Sequence, residues 1–178
     1  MRRSKALACV CGVAALASGL SAADMRVTPL ARDGHVWVMF ELADGFTPDV
    51  RDAIQSGLPT TFTYDVALRR SVPFWPDRTL EAVTIAVSVT FDNLTRRHQL
   101  SRMLDGRVEA SRVTEDEEDV RRWLTIFERV PLFRTGGLEP NTEYYVRVRA
   151  LTQPHDSLFF WPWGRRAISG NANFTFIP

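Results

Sequence analysis

Val83-Thr84-Ile85-Ala86-Val87-Ser88-Val89-Thr90-Phe91 alternates large apolar residues with small or polar ones at every step. A period of two puts the five large side chains on one face of a strand and Thr84, Ala86, Ser88 and Thr90 on the other. Sheets with one dry and one wet face are antiparallel. Upstream, Phe62, Tyr64, Val66 and Leu68 alternate with Thr61, Thr63, Asp65 and Arg69, and Val36, Val38, Phe40 and Leu42 with Trp37, Met39 and Glu41. Downstream, Asp92-Asn93 leads into a polar strand, Arg96 to Leu104. Asp105-Gly106, a pair suited to the positive φ angles of a two-residue hairpin, returns it as Val108 to Val113. Glu143 to Leu151 and Ala172 to Ile177 bring the expected total to about seven strands. The expected fold is mainly β, an antiparallel sandwich with two helices at its edges.

The first helix has Thr47 as N-cap, Pro48 at its first position, Asp49 in its first turn and Gly57 as its stop. Val50, Ala53 and Ile54 should face the sheet. The second is expected to start at Thr114, with Glu117 at capping-box spacing. Its apolar stripe is Val120, Trp123, Leu124, Phe127 and Val130, and Pro131 should end it. Asn93-Leu94-Thr95 has the spacing of a glycosylation sequon but is expected to serve as turn chemistry, since Asn tolerates left-handed φ.

The chain opens with the three parts of an export signal. Arg2, Arg3 and Lys5 are followed by an uncharged run from Ala6 to Leu20, and Ser21-Ala22-Ala23 offers a cleavage site before Asp24. The run is shorter than the ~20 residues of a spanning helix. Residues 1–23 are therefore expected to be a cleavable signal peptide, and residues 24–178 a single domain in the periplasm or outside the cell. Cys9 and Cys11 both lie in the signal, so cleavage removes every cysteine and, with Lys5, the only lysine. Disulfides, thiol nucleophiles and thiolate metal sites go with them. The remainder has 19 arginines against 21 acids, a net charge near −2. That balance lacks the basic footprint of a nucleic-acid binder.

No residue pattern announces chemistry. The acidic run Glu115 to Asp119 fits a solvated helix start, where carboxylates complement the helix dipole and Glu117–Arg121 and Glu118–Arg122 can pair. It lacks the alternating oxygen ligands of a calcium loop. His35, His98 and His155 have no zinc-type spacing, and neither a nucleophile elbow nor a phosphate-cradling loop occurs. No cofactor or metal is expected, and no catalytic residue is assigned. Dispersed carboxylates, as in glycoside hydrolysis, leave a hydrolase as an alternative. Phe74-Trp75-Pro76 and Phe159-Phe160-Trp161-Pro162-Trp163 place large aromatics in loops. Phe74, Trp75, Phe159, Phe160, Trp161 and Trp163 form the candidate patch for a partner, or for a small ligand or carbohydrate. Plugging the open end of the sheet is their structural alternative.

Two resemblances follow from longer motifs. Gly137-Leu138-Glu139-Pro140-Asn141-Thr142-Glu143-Tyr144-Tyr145-Val146-Arg147-Val148-Arg149-Ala150 is similar to the corner and strand of a fibronectin type III domain. The resemblance implies a tyrosine corner at Tyr144, its hydroxyl bonding upstream backbone. Phe40-Glu41-Leu42-Ala43-Asp44-Gly45-Phe46, Ala53-Ile54-Gln55-Ser56-Gly57-Leu58-Pro59-Thr60-Thr61-Phe62 and Phe91-Asp92-Asn93-Leu94-Thr95 resemble exported bacterial proteins grouped as domain of unknown function 4390 (DUF4390). So do Leu100-Ser101-Arg102 and Tyr144 to Arg149. This resemblance implies a bacterial envelope protein whose partner is another envelope protein, a membrane-bound sensor histidine kinase being the specific expectation. The expected function is a non-enzymatic interaction module, accessory to such a sensor or to envelope assembly.

Overall fold

The computed structural model describes residues 24–72, 74–151 and 168–178; the proposed signal, residues 1–23, lies outside them. Among the described residues, nine strands form two antiparallel sheets. The smaller has the order β1 (Asp24–Arg32), β2 (His35–Ala43), β7 (Ile126–Arg134). The larger runs β6 (Arg107–Thr114), β5 (Arg97–Leu104), β4 (Arg78–Asp92), β3 (Thr60–Arg70), β8 (Thr142–Leu151), β9 (Ile168–Phe176). The quoted alternation lies in β4, where Val83, Ile85, Val87 and Val89 are buried.

The small sheet covers only part of the large one. Two helices, α1 (Pro48–Gln55) and α2 (Glu117–Thr125), pack on the large sheet, α1 against β3 and β4 and α2 against β4, β5 and β6. Val50 and Ile54 of α1, and Val120 and Leu124 of α2, are buried there. In the core, Phe40 stacks on Phe127 with ring centroids 4.1 Å apart, and Tyr64 of β3 packs against both at 5.2 and 5.0 Å. The Tyr64 hydroxyl donates to Leu124 O at 2.6 Å, joining the large sheet to the last turn of α2.

The expected β-sandwich has nine strands among the described residues, where about seven were expected. The first addition is β1, joined to β2 by Asp33-Gly34, both at positive φ. The second is β7. The helix expected from Thr114 to Val130 stops at Thr125, and Phe127 and Val130 pair with Phe40 and Val38 as strand residues. Pro131 therefore ends no helix; it lies on an edge strand, where a missing N–H costs no ladder bond. The capping box is also displaced. Thr114 is held in the ladder opposite His98, so Asp116 becomes the N-cap and accepts from Glu118 N–H at 2.9 Å. Glu117 pairs with Arg51 of α1, and Glu118 with Arg121, rather than each with the residue four on. In the β4–β5 turn, Asp92 rather than Asn93 accepts from Leu94 and Thr95 N–H, and Arg96 takes the left-handed φ. Asp105-Gly106 adopts the expected positive φ at both residues, and α1 has the expected Thr47 cap, Pro48 start and Gly57 at φ +84°.

Candidate functional site

Arg70 pairs with Arg78, so residues 71–72 and 74–77 belong to the tip of the β3–β4 hairpin. Phe74 sits there at φ +67°, fully exposed, and Trp75 is 75% exposed. The tip is tied down. Asp77 accepts from the Tyr145 hydroxyl of β8 at 2.5 Å and from the Ser71 hydroxyl at 3.2 Å, while Asp77 O accepts from Arg69 Nη2 at 2.9 Å. The Tyr145 bond, aided by Ser71 and Arg69 against partial desolvation, holds the Asp77 carboxyl below its usual range. Lost hydration, then the Asp77 carboxylate, raises the Tyr145 hydroxyl.

Beside this tip, strand register gathers positive charge on the outer face of the large sheet. Arg69 lies opposite Tyr145, and Arg147 and Arg149 follow along β8, Arg149 facing Asp65 of β3. Desolvation first, then repulsion from Arg69 and Arg149, lowers the Arg147 guanidinium pKa. The arrangement is an apolar knob with a basic flank.

The other aromatics of the candidate patch, Phe159, Phe160, Trp161 and Trp163, lie outside the described residues. The strand ends that flank them, Leu151 and Ile168, stand beside Thr63 and Ala150, at the opposite end of β3 from Arg70. About seven residues of strand, roughly 23 Å, separate these ends from the Trp75 turn. Tyr144 is buried on the inner face of β8, and its hydroxyl accepts from Glu139 N–H at 2.8 Å.

A second site escaped sequence reading. Arg102, Arg112, Arg122, Asp119, Glu128, Trp123 and Ile126 line an open cleft of about 310 Å³ beside α2. The Arg102 guanidinium lies 4.6 Å from the Trp123 ring and 4.8 Å from the Phe127 ring, and burial lowers its pKa. Its Nε is buried without a hydrogen-bond partner. Arg112 lies 3.3 Å from Asp119, which also accepts from the Thr114 hydroxyl. Only the strand phase, placing Arg102 two residues from buried Leu100, could have flagged it. Among the described residues, no three His, Cys, Asp or Glu side chains are placed to hold a metal, and no helix is long and apolar enough to cross a membrane.

No curated protein and no solved structure matches the chain. The sequence pattern of the family described as domain of unknown function (DUF4390) matches residues 17–155, which includes the Phe74–Trp75 tip, the cleft and Tyr144 and stops before Phe159. The chain belongs to the DUF4390 family.

Proposed function

We propose that the protein is exported to the bacterial periplasm and acts there by binding another envelope protein, not by catalysis. One observation carries this reading: Phe74 and Trp75 are exposed on a turn that Asp77 fastens to Tyr145. Holding two large aromatics in water is unfavourable, and a fastened turn loses little entropy on docking. The flank of Arg69, Arg147 and Arg149 suits a partner with an apolar pocket bordered by acidic side chains. The extracytoplasmic part of a sensor histidine kinase is the specific candidate. A small-ligand or carbohydrate site is a weaker fit, because Trp75 stands exposed at a hairpin tip while the cleft beside α2 lies elsewhere. A hydrolase is weaker too, since Asp119 in the cleft is already engaged by Arg112 and Thr114.

The test is in-cell crosslinking of the exported chain, comparing wild type with Phe74→Ala/Trp75→Ala. Hot-spot loss should cut capture of one defined envelope partner about tenfold or more. Equal capture by both chains would overturn the reading. N-terminal sequencing of the same material should begin at Asp24, and a chain retained in the cytoplasm with its first residues intact refutes the export half.

A further inference from the structure

We propose that the free edge of the large sheet is a self-association site, pairing β6 antiparallel with β6 of a second copy about a two-fold axis through Ser111. Strand β6 closes the sheet at one side, and six of its eight residues are exposed, including Val108 at 69% and Val113 at 58%. An edge of this kind normally carries charges that repel a second strand. Here the charges are ordered so that a second copy satisfies them.

The ordering depends on a bulge. Ala110 lies opposite Arg102 and Val108 opposite Met103, so Glu109 has no counterpart on β5. One extra residue reverses the face on which later side chains fall. Val108, Ser111 and Val113 therefore share the outer face, opposite Met103, Ser101 and Gln99. Ala110 and Arg112 share the inner face, opposite Arg102 and Leu100, and Glu109 acts electrostatically on Arg102 from that side.

With the axis at Ser111, every pair falls on matching faces. Ser111 meets Ser111 of the second copy, Val108 meets Val113, the Glu109–Ala110 bulge meets Arg112, and Arg107 meets Thr114. Each apolar or charged contact occurs twice. A slip of one residue sets outer side chains against inner ones. A slip of two in one direction sets Arg107 against Arg112 and Glu109 against itself, and in the other sets Arg112 against itself. Only the Ser111-centred register joins the exposed valines and pairs unlike charges. The axis also extends a row of serines, since Ser111 lies opposite Ser101, whose hydroxyl is 2.7 Å from that of Ser88. One strand edge is a small interface, so the association should be micromolar rather than nanomolar.

The test uses the full chain with Cys9→Ser and Cys11→Ser, to which Ser111→Cys is added. Mild oxidation should give a disulfide-linked dimer, while Thr175→Cys, exposed on β9, should remain monomeric. A mixture of Val108→Cys and Val113→Cys chains should crosslink more than either alone. In sedimentation, Glu109→Arg should weaken dimerisation about tenfold by setting like charges opposite each other twice. Glu109→Arg/Arg112→Glu, combined with Asp119→Asn so that the new carboxylate does not face Asp119 of its own chain, should restore it. A wild type that stays monomeric through millimolar concentration overturns the proposal. So does Ser111→Cys crosslinking no faster than Thr175→Cys, or a dimer indifferent to both charge variants.

Discussion

Tyr144 and Tyr145 are neighbours in the chain and work on opposite faces of β8. Tyr144 points into the core and accepts the Glu139 N–H, fixing the path of the chain into the strand. Tyr145 points outward and holds the hairpin tip through Asp77. The Tyr144 role could be anticipated because the motif Leu138-x-Pro140-x-Thr142-x-Tyr144 is local. The Tyr145 role could not, because its partner is 68 residues away and only the β3–β8 register brings them together. Replacing Tyr144 with Phe removes one bond and leaves the partly buried Glu139 N–H without its acceptor. A loss of about 1 kcal/mol is expected, read as a fall in Tm of roughly 2–4 °C. A Tm equal to wild type would show that the bond contributes nothing to stability.

At the scale of elements, the informative place is Thr125, where a helix becomes a strand without a loop. Val120, Trp123, Leu124, Phe127 and Val130 recur at three- and four-residue intervals, and nothing local contradicts a continuous helix. Tertiary contacts end it. A helix leaves its last carbonyls unpaired, and here Tyr64 donates to Leu124 O while the Thr125 hydroxyl donates to Arg121 O at 2.8 Å. Phe127 then gains its stack on Phe40 and a place in the small sheet. Strand β1 was missed for a milder reason: its alternating burial is mostly partial, and Pro29 interrupts its pattern. The Asp33-Gly34 pair was the available signal, the same chemistry as Asp105-Gly106. Tyr64→Phe should therefore do more than remove a core bond. It strands Leu124 O in an apolar setting, so about 1–2 kcal/mol is expected. Faster hydrogen exchange confined to α2 and the start of β7 would identify the junction as the weakened point. Uniform acceleration across both sheets would argue against that role for Tyr64.

For the whole molecule, the perturbed carboxyls and tyrosines divide by location, and that division sets the shape of the pH–stability profile. Asp77, Asp92 and Glu118 have carboxyls held below their usual range by, respectively, the Tyr145 hydroxyl, the Leu94 N–H and the Arg121 guanidinium. A depressed carboxyl contributes stability that is complete above its unfolded pKa of ~4 and is lost as pH falls through the folded value. All three lie at the surface, at the hairpin tip, a turn and a helix face, so solvent screening keeps this acid limb shallow. Tyr64 behaves oppositely. Burial in the aromatic core raises its hydroxyl far above the ordinary tyrosine value. Its contribution is complete below ~10 and is lost as pH rises beyond that, because the unfolded chain ionises first. Tyr145, raised mainly by desolvation, adds to the same limb. The expected profile of Tm against pH is a plateau from about 5 to about 9.5, with a gentle acid fall and a steeper alkaline one. Tyr64→Phe should flatten the alkaline limb while leaving the acid limb intact, whereas Asp77→Asn should flatten the acid limb and, because the Asp77 carboxylate helps raise the Tyr145 hydroxyl, soften the alkaline limb slightly. An alkaline limb unchanged by Tyr64→Phe would mean that the core opens at high pH by some route other than tyrosine ionisation.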